Sequence, residues 1–186
     1  MKIWKPIFFN LHFSIFNLHF LPMHFLLQIL FPSLTWRMPA KDKTLYLTFD
    51  DGPIPEVTPW VLATLAEYNA AATFFCVGDN ARKHRDLLKM IRDSRHSIGN
   101  HTMHHLNGWK TRNKKYFSDI SECKEFINSG LFRPPYGKIK ISQLHFLKKD
   151  FRIIMWDVLS RDYDITINGE QSFENVKDNA RNGSII

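Results

Sequence analysis

Strands and helices alternate from residue 44 to the last residue, and this alternation predicts an α/β domain built on a parallel sheet, open or closed into a barrel. A second observation points the same way. Residues able to do chemistry fall where predicted strands end, at Asp50-Asp51, Asn100-His101, Arg133 and Trp156-Asp157, and the carboxyl edge of such sheets is where sites are built. Size is the third: 186 residues at 44% hydrophobic content can bury one sizeable core. The organisation points to an enzyme before any motif is considered.

The chain opens with a different kind of segment. Residues 1–40 are aromatic-rich, contain no acid, and repeat "FNLHF" at 9–13 and 16–20. Lys2 and Lys5 ahead of a long apolar stretch resemble a signal-anchor. Pro6, Pro22 and Pro32, with the polar Asn10, His12, Asn17, His19, His24 and Gln28, interrupt that stretch. An interfacial helix, or a natural start at Met23, are the alternatives. The expectation is that residues 1–36 associate with a membrane and leave the protein anchored or exported.

Residues 41–186 read as the folded domain. "TLYLTF" (44–49) alternates and is rich in β-formers, so it predicts a strand. "TPWVLATLAEYN" (58–69) spaces Trp60, Val61, Leu62 and Leu65 for a helix, with Thr58 as N-cap and Pro59 at the first helical position. "ATFFCV" (72–77) is a continuous apolar run of strand length. Residues 80–94 form an amphipathic helix on Leu87, Leu88 and Ile91. A short strand at "HSIGN", a charged helix over 111–128, a strand end at "LFRPP" and a helix at "SQLHFLKK" follow. A strand at 151–159 and a polar helix over 170–181 complete the pattern, before "GSII" begins another strand.

The formal charge is +7, and three of the bases (Lys2, Lys5, Arg37) lie in the acid-free first forty residues. The remaining surface is ordinary, with no Lys/Arg stripe interleaved with aromatics, so no nucleic-acid partner is expected. Two cysteines cannot make a disulfide framework; Cys76 reads as a small core residue and Cys123 lies on a predicted helix, with no bridge expected between them.

Four segments carry the chemistry. In "LTFDDGP" two adjacent carboxylates close an apolar strand, which is costly unless a positive group stands nearby; an Asx-turn stabilising the bend is the other reading. In "GNHTMHHLNG", His101 and His105 have the spacing that lets two imidazoles on one helical turn face the same ion, with His104 as a rival. With a double Asp on another strand end, this pattern suits a His-His-Asp metal site that leaves positions open for water. "LFRPPYGKIK" places Arg133 at a strand end, locked by two prolines, where it could hold a carboxylate or merely face solvent. "IIMWDVLSRDYD" places Trp156 and Asp157 at another.

"TFDDGP", the His-Thr-x-x-His run from His101 to His105, "RPPYG" and "MWDVLSRD" stand in the order and spacing of the polysaccharide deacetylase family, the NodB-homology or carbohydrate esterase family 4 domain. The chain resembles that family from about Thr44 to its last residue. The resemblance implies a distorted (β/α) barrel and a divalent ion, usually zinc, with cobalt, manganese or nickel as alternatives. It implies removal of N-acetyl groups from amino sugars of a peptidoglycan or chitin-like polysaccharide. Carried over by position, Asp51, His101 and His105 bind the metal and Asp50 is the general base. Arg133 orients Asp50, the Tyr136 backbone N–H helps hold the oxyanion, and Trp156 helps wall the substrate groove. His104 falls at a non-ligand position. The protein is expected to be a monomer whose partner is the acetylated polysaccharide.

Two departures qualify the match. Many relatives have an Asp three residues after the tryptophan, supporting the catalytic acid; here that position is Leu159. Asp157, on the same strand face by the period-two rule, is expected to substitute as a catalytic residue. The family's fifth motif, a Leu-x-His with the protonating histidine, should begin where this sequence ends. The expectation is therefore a barrel missing its C-terminal strand and helix, weak in metal binding and nearly inactive. Two other readings stand beside this one. A non-catalytic envelope protein could retain metal or glycan binding. An unrelated metallohydrolase such as a phosphoesterase would need phosphate-binding bases that only Arg133 supplies.

Overall fold

Continuous apolar strands need cover on both faces, and the helices between them provide it. The structure, a computed structural model, describes residues 23–39 and 43–186. In chain order its elements are α1 (Met23–Leu30), β1 (Leu47–Asp50), α2 (Thr58–Glu67), β2 (Ala72–Cys76), α3 (Gly78–Lys83), α4 (Arg85–Asp93) and β3 (Ser97–Asn100). They continue with α5 (Asn113–Cys123), β4 (Leu131–Phe132), a 3-10 turn (Pro135–Gly137), α6 (Ile141–Leu147), β5 (Arg152–Ile153) and α7 (Gly169–Asn179). The five strands lie side by side in sequence order, every pair parallel.

Two short segments turn this sheet into a distorted (β/α) barrel. Beyond β5, Thr35 bridges Ile154 in parallel, with Thr35 N–H donating to Ile153 O (2.9 Å) and Met155 N–H to Thr35 O (2.8 Å). On the β1 side, Tyr46 N–H donates to Ser184 O (2.9 Å), Ile186 N–H to Tyr46 O (3.0 Å) and Thr48 N–H to Ile186 O (2.8 Å). Ile185 O also accepts from Asp157 N–H (2.8 Å) and Val158 N–H (3.1 Å), which joins the exit of β5 to the strand beside β1. The "GSII" run thus pairs as a strand, as its composition predicts.

The side chains sort by face. Phe74 and Cys76 point outward into a cluster with Val61, Leu62, Leu65, Leu88 and Ile91 of the first helices. Phe75, one residue out of phase, points inward to Ile154 and Ile185. Burying one such aromatic contributes about 1.5–3 kcal/mol. Its inward neighbour across the ladder is Gly99, where a Cβ would lie 2.4 Å from the Phe75 ring, so only glycine leaves room for it. A third cluster packs α5 and α6 against β4 and β5.

Several elements differ from their expected form. The helix over 80–94 is two, α3 and α4, meeting at His84 (φ −122°, ψ 59°); the run from Arg82 to Asp86 has no apolar side chain to hold a straight junction on the sheet. Helix α2 begins at Thr58 itself, whose hydroxyl accepts from Ile54 N–H (2.8 Å) instead of capping the helix. Leu34 and Trp36, ahead of residue 41, are buried in the α5–α6 cluster. The "FNLHF" repeat lies outside the described residues. Among those described, no helix is long and apolar enough to cross a membrane. Cys76 and Cys123 are free and buried, and burial pushes both thiols up to about 12.

Candidate active site

Strand β1 delivers two carboxylates to the barrel mouth and the following turn separates them. Asp51 takes a left-handed backbone conformation (φ 67°), one that Asp tolerates better than most residues. Its carbonyl is held by Asn80 Nδ2 (2.7 Å), and Gly52 N–H closes back onto Asp50 O (2.9 Å). The neighbouring acids therefore meet different partners, Asp50 facing an arginine and Asp51 two histidines.

The histidines leave β3 on an irregular loop and not on the helical turn their spacing suggests. Thr102 (φ 64°) and His105 (φ 53°) are both left-handed, and these two reversals bring the rings together, 5.1 Å between centroids. The buried His101 donates from Nδ1 to the Arg133 carbonyl (2.7 Å), since a carbonyl can only accept. Its Nε2 lies 3.5 Å from Asp51 Oδ1, and His105 Nε2 stands 3.0 Å from the same oxygen. Hydrogen bonds from His101, then His105, outweigh burial and hold the Asp51 carboxyl far below the usual carboxylate range. One ligand atom from each residue lies within 4.8 Å of the others. Two imidazoles and a carboxylate, with one ring oriented by a backbone carbonyl, form a donor set suited to a divalent ion.

Arg133, 2% exposed, ties the mouth together. Its Nη1 donates to Asp50 Oδ1 (2.8 Å) and Thr48 Oγ1 (2.7 Å), its Nη2 to Met155 O (2.9 Å) and its Nε to Ile154 O (3.3 Å). The guanidinium lies 4.3 Å from the Phe75 ring and 5.6 Å from that of Trp156. Burial pushes Arg133 below its ordinary value while Asp50 opposes the shift, and a guanidinium starts so high that it stays charged.

The "RPPYG" turn presents the next groups. Tyr136 (φ 60°) and Gly137 (φ 64°) are both left-handed. No acceptor among the described residues takes the Tyr136 N–H, while the next two amides bond back to Pro134 and Pro135. The exposed Tyr136 ring lies 4.6 Å from that of His105. A Cβ on Gly137 would fall 2.7 Å from Trp156 Cη2, so the glycine lets the indole pack flat on the turn.

Asp157 is not part of this group. Its carboxylate, 3% exposed, is bonded to Gln28 Nε2 (3.0 Å), Arg37 Nε (3.3 Å), Arg181 Nη2 (3.1 Å) and Ser184 Oγ (2.7 Å). The period-two count that places it on the strand face of Leu159 does not reach it: the ladder ends near Ile154 and the chain bends onto Ile185. Asp157 instead clasps the two segments that close the barrel. Burial raises its carboxyl, but bonds from Arg181, Ser184 and Gln28 win and leave it below the ordinary value. A depressed folded-state value adds stability above the unfolded value near 4 and loses it as pH falls through the folded one. Asp157→Asn should therefore cost about 1.5–3 kcal/mol at neutral pH, and the gap from wild type should close below about pH 4 in urea titrations.

His104 points away from the ligand atoms to Asp119, Nδ1 to Oδ1 at 2.7 Å. Thr48 and Asn100, inside the quoted segments, also support the site, as do Phe75 and Asp119, which no motif marks and only their tertiary neighbours reveal.

Residues 37–149 match the sequence profile of the family described as "Polysaccharide deacetylase". The chain belongs to the polysaccharide deacetylase family. It is 36% identical over 159 residues to a peptidoglycan-N-acetylglucosamine deacetylase of Bacillus cereus, covering 82% of this chain and 75% of that one. A chitooligosaccharide deacetylase of Azorhizobium caulinodans is 36% identical over 158 residues, covering 81% and 75%. The crystal structure of the Bc1960 peptidoglycan N-acetylglucosamine deacetylase superposes with a TM-score of 0.80 at 33% identity, covering 86% of this chain and 78% of that one. In this polysaccharide deacetylase domain all four motif segments meet at one end of the barrel.

Proposed function

We propose that the chain is a metal-dependent hydrolase that removes N-acetyl groups from amino sugars of a peptidoglycan or chitin-like polysaccharide. The observation that carries this reading is the convergence of Asp51, His101 and His105 beside an Asp50 held by a buried arginine. Asp51, His101 and His105 would hold the ion, and the mixed nitrogen and oxygen donor set favours zinc. When bound, the ion supplies Lewis acidity that lowers the pKa of water and polarises the acetyl carbonyl.

The chain's own groups do the rest. Asp50, paired with and aimed by Arg133, takes the proton of the attacking water. The uncommitted Tyr136 N–H donates to the oxyanion that develops on the amide oxygen. Trp156, flat on Gly137, walls the groove in which the sugar lies. The proton taken up by Asp50 then passes to the leaving nitrogen as the C–N bond breaks, so that acetate and the free amine depart and Asp50 is restored. Such substrates would put the protein's work at the cell envelope.

The test is acetate release, expected to be slow, from N-acetylglucosamine oligomers and from peptidoglycan by the zinc-loaded chain. Activity should vanish on chelation, return with Zn²⁺, and be lost in Asp51→Ala. No acetate from either substrate, or release indifferent to chelation, would overturn the reading.

A further inference from the structure

The two histidines stand at the ends of a loop whose backbone is unfavourable at both Thr102 and His105, and left-handed non-glycine residues persist only where neighbours over-determine them. Among the groups that hold this loop, one side chain binds its middle. Asp119, 6% exposed on α5, accepts from the Met103 N–H (2.8 Å) and the His104 N–H (3.1 Å) with Oδ2, and meets His104 Nδ1 (2.7 Å) with Oδ1. The two amides it binds lie midway between the two candidate ligands. The same helix grips the start of the loop, where Ile120 O accepts from the buried Asn100 Nδ2 (3.1 Å) and Asn100 Oδ1 accepts from Thr102 N–H (2.9 Å).

From this geometry we infer that Asp119 is a positioning residue for the metal centre: by clamping the backbone of Met103 and His104 it sets the approach of His101 and His105 to Asp51. It touches neither ion nor substrate. A buried carboxylate is tolerated only when its oxygens are satisfied, and here both are satisfied by the loop it fixes. Without the acceptor, two amides between the ligands lose their partner and the reversals at Thr102 and His105 are free to relax. The inference rests on the metal-site reading above and concerns only how that site is held.

The test uses the full chain stripped of metal and titrated with CoCl₂, read by calorimetry and by the visible absorption of bound Co²⁺. Asp119→Ala should weaken Co²⁺ binding about 10–100-fold and alter the absorption that reports ligand geometry. Asp119→Asn keeps a carbonyl oxygen where Oδ2 accepts both amides, so its affinity and spectrum should stay close to wild type. If Asp119→Ala does not fold, Asp119→Ser takes its place, since its hydroxyl is too short to reach the loop. Wild-type affinity and spectrum in the Ala or Ser variant would overturn the inference, as would an Asn variant that falls as far as they do. A wild-type chain that binds no Co²⁺ at all would instead sink the metal-site reading.

Discussion

Asp50→Asn should lower turnover about 10²–10⁴-fold while leaving metal affinity and the melting temperature near wild type. The amide keeps an oxygen in place for Arg133 Nη1, now 2.8 Å from the carboxylate, so the arginine loses a charge but not an acceptor. Asp50 is 31% exposed, so the neutral side chain remains partly solvated and its burial is cheap. What disappears is the ability to take a proton from water, which acts only as the new C–O bond forms. The loss should therefore fall on kcat with KM little changed. Steady-state kinetics with a Co²⁺ titration decides the matter. Turnover within a few-fold of wild type, or a parallel loss of metal, would show that Asp50 is not the base.

Arg133→Met should be the most damaging single change to the fold, at about 3–5 kcal/mol. Methionine fills much of the volume between Phe75 and Trp156 but supplies none of the N–H groups. Ile154 O, Met155 O and Thr48 Oγ1 lose donors inside the barrel, and Asp50 is left without its counter-charge. Arg133→Lys should recover only part of this, because one ammonium cannot span acceptors on both β1 and the chain leaving β5. Denaturant unfolding measures the stability, and the residual activity of any folded fraction reports the freed Asp50. A cost of under about 1 kcal/mol in the Met variant would mean that these bonds are replaced by water.

Local and periodic features were open to reading from the sequence. Runs such as "ATFFCV" carry their strand identity in composition. The double Asp, the paired histidines and Arg133 announce themselves because their residue types are costly at the end of an apolar strand. Features that depend on distant partners were not legible. The fate of Asp157 depends on Gln28, Arg37, Arg181 and Ser184, which are far from it in the chain and unmarked by any motif. His101 and His105 come together not on a helical turn but on a loop with left-handed residues at Thr102 and His105, which their spacing does not announce. The place of Leu34 and Trp36 in the core was hidden by the apolar composition of everything before them.

The closure of the barrel bears on how the protein is made. Thr48 Oγ1 donates to Ile186 O across 138 residues of chain, so the strand that carries Asp50 gains its second neighbour only after residues 184–186 have left the ribosome. Until then one edge of β1 is an open template, and parallel pairings of such long separation form slowly. Nascent chains should be most prone to aggregate in this interval, when four strands have their neighbours and the first is still waiting for its own. Because the acids sit on that late-completed strand, hydrolytic competence would appear only with the finished ring, and early folding intermediates should be inert.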